Sequence, residues 1–428
     1  MTDVSHGERS KSARLRIVIG SDTFAPEING AAIFTSRLAA GLSNRGHDVH
    51  VIAAAASRKH GTWKESHEGG EFTVHRLKSW RWYPHPWLRF ALPWQVERNC
   101  ARILDEVKPD VVHHQSHIVI GKGLSDQAYK RGIRIIGTNH FMPENLLEFT
   151  LIPKRFHPPA VAAAWRAAER VYAHAEAVTS PTRRAAEFLE ASTNVRNVHA
   201  ISCGIDMSHY TPSFEPRTEN LIVFVGRVTG EKQLDKLVAA MALLDPALDA
   251  RLEIVGGGDV EAALSAQAAR LGISDRVKIS GYVTTEYLRG ALTRASVFAM
   301  PSIAELQSIA TMEAMASGLP IVGANAMALP HLIHHGENGY LFEPGDVQGL
   351  ADRLTDVLTM PQDELDKFKR ESLKIVEAHD IQKTLDTFEA LYRGETVADP
   401  VVDDVPRLVV PRATLRERIT NRLRGSDD

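Results

Sequence analysis

Residues 221–233, LIVFVGRVTGEKQ, decide how the chain is read: five apolar residues run without interruption into Gly226, and a polar segment behind them opens a helical pattern. A strand that is apolar at every position is buried on both faces, and such strands belong to parallel sheets covered by helices. The signature recurs downstream in RLEIVGGG (251–258), RVKISGYV (276–283), ASVFAMPS (295–302) and PIVGAN (320–325). Upstream it appears in LRIVIGSD (15–22), DVHVIAAA (48–55), PDVVHHQ (109–115), IRIIGTNH (133–140) and AVTSPT (177–182). Between the two sets lies a polar stretch, residues 206–220, carrying Pro212 and Pro216. The pattern predicts two doubly wound α/β domains, 1–207 and 208–375, then a helix at 376–394 returning to the first domain and a polar, basic tail at 395–428.

A length of 428 residues suits two domains, each with a full core. With 44% hydrophobic and 24% charged residues and a formal net charge of -3, nothing in the bulk charge draws the chain to nucleic acid. Cys100 and Cys203 are the two cysteines, which excludes a disulfide framework and points to a reducing, cytoplasmic setting. The sequence has no apolar run of 18 residues, and its N-terminal segment has no apolar signal core, so neither a membrane span nor a secretory leader is expected.

In open parallel sheets, ligands bind beyond the carboxyl ends of the strands. Here those ends carry Gly30 in PEINGA, His140, Arg227 with Lys232, Gly257 within a glycine triplet, Tyr282 with Val283, and Glu305. Gly30 at a strand-to-helix turn has two readings: it makes the turn, or it lets helix amides face a phosphate. The triplet lacks the third glycine of a dinucleotide fingerprint, which argues against a nicotinamide cofactor. An arginine fork and a lysine five residues apart suit the two phosphates of a diphosphate leaving group. In AELQSIATMEAMASGLP (304–320), a helix is predicted over 308–317, ended by Gly318 and Pro320. Glu305 then lies in the loop before the helix, where the amides of Leu306, Gln307 and Ser308 offer an anion site, and Glu313 lies within it.

GRVTGEKQ, ELQSIATMEAMASGLP and HHGENGYLFEPGD together resemble the retaining nucleotide-sugar glycosyltransferases of family 4, over residues 16–349. The resemblance implies the GT-B fold, two Rossmann-like domains facing a cleft. It implies that Gly30 lies near the donor phosphate and acceptor, His140 near the reacting sugar, and Arg227 and Lys232 on the diphosphate. Glu305 would contact the transferred sugar, Glu313 the ribose, and the segment at Tyr282 and Val283 the base, with Gly257 on the donor side. Two positions depart from the family pattern: Ala31 and Ser308 stand where the family has glycine. Retention implies attack on the face from which the diphosphate leaves, with a diphosphate oxygen taking the acceptor proton. No D-x-D triplet occurs, so the expectation is no metal and no cofactor beyond the nucleotide-sugar.

The acceptor is read from weaker signals. KSWRWYPHPWLRFALPW (78–94) holds Trp80, Trp82, Trp87 and Trp94 beside Arg81 and Arg89. It is either a packed surface loop or an interfacial patch for an anionic membrane. Near the C-terminus, Leu415, Ile419 and Leu423 form a helical stripe flanked by arginines, which is either a membrane-surface or partner-binding element or a solvated tail. GTNHFMPENLLEF (137–149) is similar to the matching segment of members that glycosylate diacylglycerol lipids. Among His113, His114 and His117, no complete metal set is visible; His114 or His117 is expected on the acceptor side of the cleft, with ordinary loop histidines as the other reading. The expectation is a hexosyltransferase, peripheral on the inner face of a membrane, using UDP-glucose ahead of GDP-mannose on a lipid acceptor. A transferase acting on a saccharide or small metabolite, a nucleotide-sugar epimerase or glycan phosphorylase, and a non-catalytic binding protein are the rivals.

Overall fold

The computed structural model describes residues 14–82, 85–143 and 153–398, apart from the side chains of residues 82, 85–88 and 154. The basic stripe near Leu423, the segment following Pro143, and the side chains of Trp82 and Trp87 lie outside the described residues.

The first domain is built from β1 (Arg16–Ser21), β2 (Asp48–Ala54), β3 (Gly61–His67), β4 (Gly70–Leu77), β5 (Ser79–Trp82), β6 (His85–Ala91), β7 (Val111–His114), β8 (Arg134–Thr138), β9 (Ala177–Ser180) and β10 (His199–Ala200). Eight of these form one sheet in the order β10-β9-β8-β7-β1-β2-β4-β3, parallel except for β3. The central strands are apolar throughout because both faces are covered: Ile17, Val18 and Ile19 of β1 have no exposure.

The second domain holds β11 (Leu221–Val225), β12 (Arg251–Val255), β13 (Val277–Gly281), β14 (Val297–Met300), β15 (Ile321–Ala324) and β16 (Gly339–Phe342). These pair in parallel in the order β13-β12-β11-β14-β15-β16. The order reverses beside β11 and β14, the switch point where an open sheet leaves a crevice for ligand. Arg227 and Lys232 follow β11, and Glu305 follows β14.

Helix Gln362–Val376 packs on helix Ile309–Ala316 of the second domain, and helix Ile381–Arg393 then returns to the first. The return is held by Arg45, which meets Asp386 at 2.7 Å and Glu389 at 3.0 Å. A hydrogen bond of 2.7 Å joins His113 Nδ1 and the Tyr392 hydroxyl, and Phe388 packs on Phe34. Among the described residues, no helix is long and apolar enough to cross a membrane.

Strands β3 and β4, absent from the sequence-based pattern, form a hairpin whose turn residues Glu68 and Gly69 both have positive φ, 48° and 76°. Two left-handed residues are what a tight type I′ hairpin requires. The aromatic stretch is not a plain loop: β5 and β6 make a separate antiparallel ribbon pairing Trp80 with Phe90 and Arg81 with Arg89.

Candidate active site

Lys232 and Glu305, 73 residues apart in sequence, meet in the second domain, where Lys232 Nζ donates to Glu305 Oε1. Lys232 ends the short 3-10 turn Gly230–Lys232 behind β11, and Glu305 sits in the loop behind β14, so neighbouring strands deliver both groups to the switch point. Burial pushes the Glu305 carboxyl up, but the Lys232 ammonium, the Ser302 hydroxyl and Arg227 outweigh it and hold it below the ordinary range. Arg227 Nη2 donates to Glu231 Oε1 at 3.0 Å, and the Thr229 hydroxyl donates to the same oxygen at 2.7 Å. Both cations expected at a diphosphate therefore stand beside carboxylates that are themselves largely buried, so neither cation is an uncompensated charge.

The loop after Glu305 enters helix Ile309–Ala316 through Ser308, whose φ of 73° and ψ of 78° lie in left-handed territory. A side chain in this conformation is strained, which is a physical reason for glycine to be favoured here. The Ser308 hydroxyl is satisfied locally by Thr311 Oγ1 at 2.7 Å. The side chain of Gln307 does not face the cleft: it is buried against Ser202 and Cys203 in the connection between the domains.

At the ends of β11 and β12 the glycines serve backbone approach. A Cβ on Gly256 (φ 133°) would lie 1.9 Å from the Gly226 carbonyl oxygen, and one on Gly258 would lie 2.1 Å from that of Val228. Gly257 carries the exposed ring of Tyr282, which a Cβ would strike at 2.5 Å; Val283 beside it is half-buried against the core.

Across the cleft, Gly30 begins helix Gly30–Asn44, capped by the Asn29 side chain. A Cβ on Gly30 would be 4.0 Å from Ile309 Cδ1, so the first turns of one helix from each domain meet here, and their free amides make this the positive end of both. His140 Nε2 donates to Gln115 Oε1 at 2.9 Å, and its ring packs on Phe34. Burial pushes its pKa down to about 3, so the ring is neutral and presents Nδ1 as an acceptor. Asp22, behind β1, accepts from the amides of Ile120 at 2.8 Å and Val119 at 3.1 Å; burial raises its pKa against these bonds. In the same loop, burial lifts Glu27 to about 7, against Arg76 and Arg89 and together with Asp22.

His114 is not on a cleft wall. It has no exposure, its ring stacks on Tyr172, and Nδ1 is bonded to the Ser116 carbonyl at 2.7 Å. A four-residue strand covered on both faces buries its polar members as well as its apolar ones. His113 has both nitrogens engaged, by Tyr392 and Thr138, which leaves neither for a metal. The described residues contain one group able to converge on a cation, exposed His334 and Glu337 with Glu371, and Lys374 already stands 2.9 Å from Glu371.

Glu313, expected at a ribose, is buried in an ion pair with Arg37 of the first domain at 2.8 Å. Arg37 follows Gly30 by seven residues, two turns along the same helix face, a spacing from which sequence could have found it. Its pKa is raised: burial acts against the charge, and Glu313 more than compensates. Glu231, Gln115 and Asp22 were also missed; each follows a strand end or sits in the loop behind one.

A family model described as Glycosyltransferase Family 4 matches residues 28–209, and one described as Glycosyl transferases group 1 matches residues 211–374. The chain is 28% identical over 364 residues to the GDP-mannose-dependent alpha-mannosyltransferase of Mycolicibacterium smegmatis, covering 81% of this chain and 88% of that one. Among solved structures it is similar to sucrose-phosphate synthase from Thermosynechococcus elongatus, with TM-score 0.74, 18% identity and 89% and 99% of the two chains covered. It is also similar to Anabaena HepE in complex with UDP-glucose, with TM-score 0.69, 16% identity and coverage of 88% and 99%. With both halves matched in order and the switch-point chemistry in place, the chain belongs to the family 4 glycosyltransferases, the nucleotide-sugar-dependent enzymes of the GT-B fold.

Proposed function

We propose that the chain moves a hexose from a nucleotide-sugar to a membrane lipid with retention of anomeric configuration. The observation that carries the reading is the Lys232–Glu305 pair beside Arg227–Glu231: two cations for a diphosphate and a carboxylate held ionised for sugar hydroxyls, within one loop cluster. Glu305 is occupied as a hydrogen-bond acceptor and is not a glycosidase-type acid. The acceptor hydroxyl attacks from the side of the departing diphosphate, whose oxygen takes the proton while Arg227 and Lys232 stabilise the negative charge that develops. His140, neutral at Nδ1, accepts from a hydroxyl of the transferred sugar. No metal is needed in this scheme, because the two cations carry the charge.

UDP-glucose and GDP-mannose are the two donors of the reading; similarity to the GDP-mannose-dependent alpha-mannosyltransferase of Mycolicibacterium smegmatis supports GDP-mannose. For the acceptor, support comes from the β5–β6 ribbon with Trp80 and Arg81 and from Trp94, 66% exposed, at the start of the helix that follows. Exposed tryptophan beside arginine suits the headgroup region of an anionic leaflet. The test offers each labelled donor to the protein with mixed-lipid vesicles, then with soluble saccharides in their place. Label in the lipid phase only supports the reading; label on a saccharide with none on lipid assigns the chain to the soluble-acceptor class and leaves the ribbon a structural element.

A further inference from the structure

The chain passes between the domains twice, at residues 201–206 and 377–381, and the two passages are bonded together. Ile205 N donates to the His379 carbonyl at 2.8 Å, and Ile381 N donates to the Ile205 carbonyl at 3.1 Å. Into this joint reaches one side chain of the loop that follows Glu305. Gln307 Oε1 accepts from the Cys203 amide at 2.7 Å, and Nε2 donates to Ser202 Oγ at 2.8 Å. Ser202 Oγ also accepts from the Gly204 amide at 3.1 Å and lies 2.9 Å from His379 Nδ1, so its single proton goes to that nitrogen. Gln307 thus holds the first passage directly and reaches the second both through the Ser202 hydroxyl and at His379 Nδ1, 3.4 Å from its own Nε2.

The joint has little slack. Gln307, Ser202, Cys203 and His379 are all buried, so water does not compete for these bonds. Gly204, at φ 72°, has no room for a Cβ, which would lie 2.7 to 2.9 Å from Ile381 and Thr384. Gln307 itself stands two residues from Glu305 and directly before left-handed Ser308. A displacement of the 305–308 loop must therefore either carry both passages with it or leave the Cys203 amide buried without an acceptor, a costly state.

We propose that Gln307 is a positioning residue that couples occupancy of the 305–308 loop to the angle between the two domains, so that donor binding sets the closed geometry in which acceptor and donor meet. The proposal rests on the nucleotide-sugar reading above. It is distinct from a purely stabilising role, because the same bonds would then hold the fold together without transmitting anything.

The test is hydrogen exchange on the full chain with and without UDP and GDP, in wild type, Gln307→Leu and Ser202→Ala, alongside steady-state kinetics. In wild type, the nucleotide that binds slows exchange at 305–308 and at both passages. In Gln307→Leu, protection at 305–308 remains while protection at 201–206 and 377–381 disappears, and kcat falls about tenfold or more with nucleotide affinity nearly unchanged. Ser202→Ala, which spares the Cys203 bond, the Gln307–His379 contact and the backbone bonds between the passages, keeps protection at 201–206 and reduces it, without abolishing it, at 377–381. Nucleotide binding that leaves both passages unaffected in wild type overturns the coupling alone, as does a Gln307→Leu variant with full passage protection and kcat but a lower melting temperature. If neither nucleotide binds wild type, the donor reading falls and the coupling falls with it.

Discussion

Arg37 and Glu313 join the two domains through an ion pair of 2.8 Å in which neither side chain is more than 16% exposed. Each lies on a helix whose first turn faces the other domain, so the pair continues the approach that begins at Gly30 and Ile309. A cavity of about 190 Å³ lined by Arg37, Arg45, Glu68, Asp206 and Tyr210 adjoins it.

Removing one partner of a buried pair strands the other, so Arg37→Met should cost about 3 kcal/mol of stability in denaturant titration. The double variant Arg37→Met/Glu313→Gln should recover most of that loss, because no charge is then left unpaired. Equal and additive losses from the two single changes would show that the residues do not interact.

Glu305→Gln preserves the size of the side chain and removes the charge that Lys232 meets. Transfer should fall about a hundredfold or more while the circular dichroism spectrum is unchanged, since a charged acceptor for hydroxyls becomes a neutral, weaker one and Lys232 loses its counter-charge. Activity within a factor of two of wild type would remove Glu305 from the site.

Ser308 has a side chain in left-handed backbone, where glycine is at home. Ser308→Gly should be more stable than Ser308→Ala by about 1 kcal/mol, the reverse of the order inside a helix. A more stable alanine variant would contradict the assigned backbone conformation.

His75, His113, His114, His117 and His379 are all buried and have pKa values pushed down, chiefly by burial, to about 4 for His75, His114 and His117 and about 3 for His379. The unfolded chain takes up protons at these imidazoles below about pH 6.5, whereas the folded chain does not until near pH 4. Stability should therefore fall as pH drops from 6.5 toward 4, by up to about 1.4 kcal/mol per pH unit for each such histidine. Urea titrations at pH 7.5, 6 and 5 check it; a flat profile would mean that these rings titrate normally.

The two sheets were legible because both-face burial writes itself into sequence as unbroken apolar runs such as LIVFV and RIVIG. The β3–β4 hairpin was missed because its outer strand alternates exposed and half-buried residues and carries Lys64, Glu65 and His67, although the Glu68–Gly69 turn marked it. At the site, Lys232 and Glu305 were readable from their place after apolar strands. Gln307 was placed in the right loop, but only coordinates show that its side chain turns into the joint. His114 was misplaced because the run Val111–Val112–His113–His114 gives no sign of whether the loop beyond it covers the strand end. Arg37 was missed because its seven-residue spacing from Gly30 gives the helix face but not the partner, which lies in the other domain.

The most direct measurement is calorimetric titration of UDP-glucose and GDP-mannose into wild type and into Lys232→Met of verified fold. One donor should bind wild type, and its affinity should drop about tenfold to a hundredfold in the variant as a charge-assisted contact to the diphosphate is lost. Equal affinity in the two proteins would place the donor elsewhere and contradict the site built on Lys232 and Glu305.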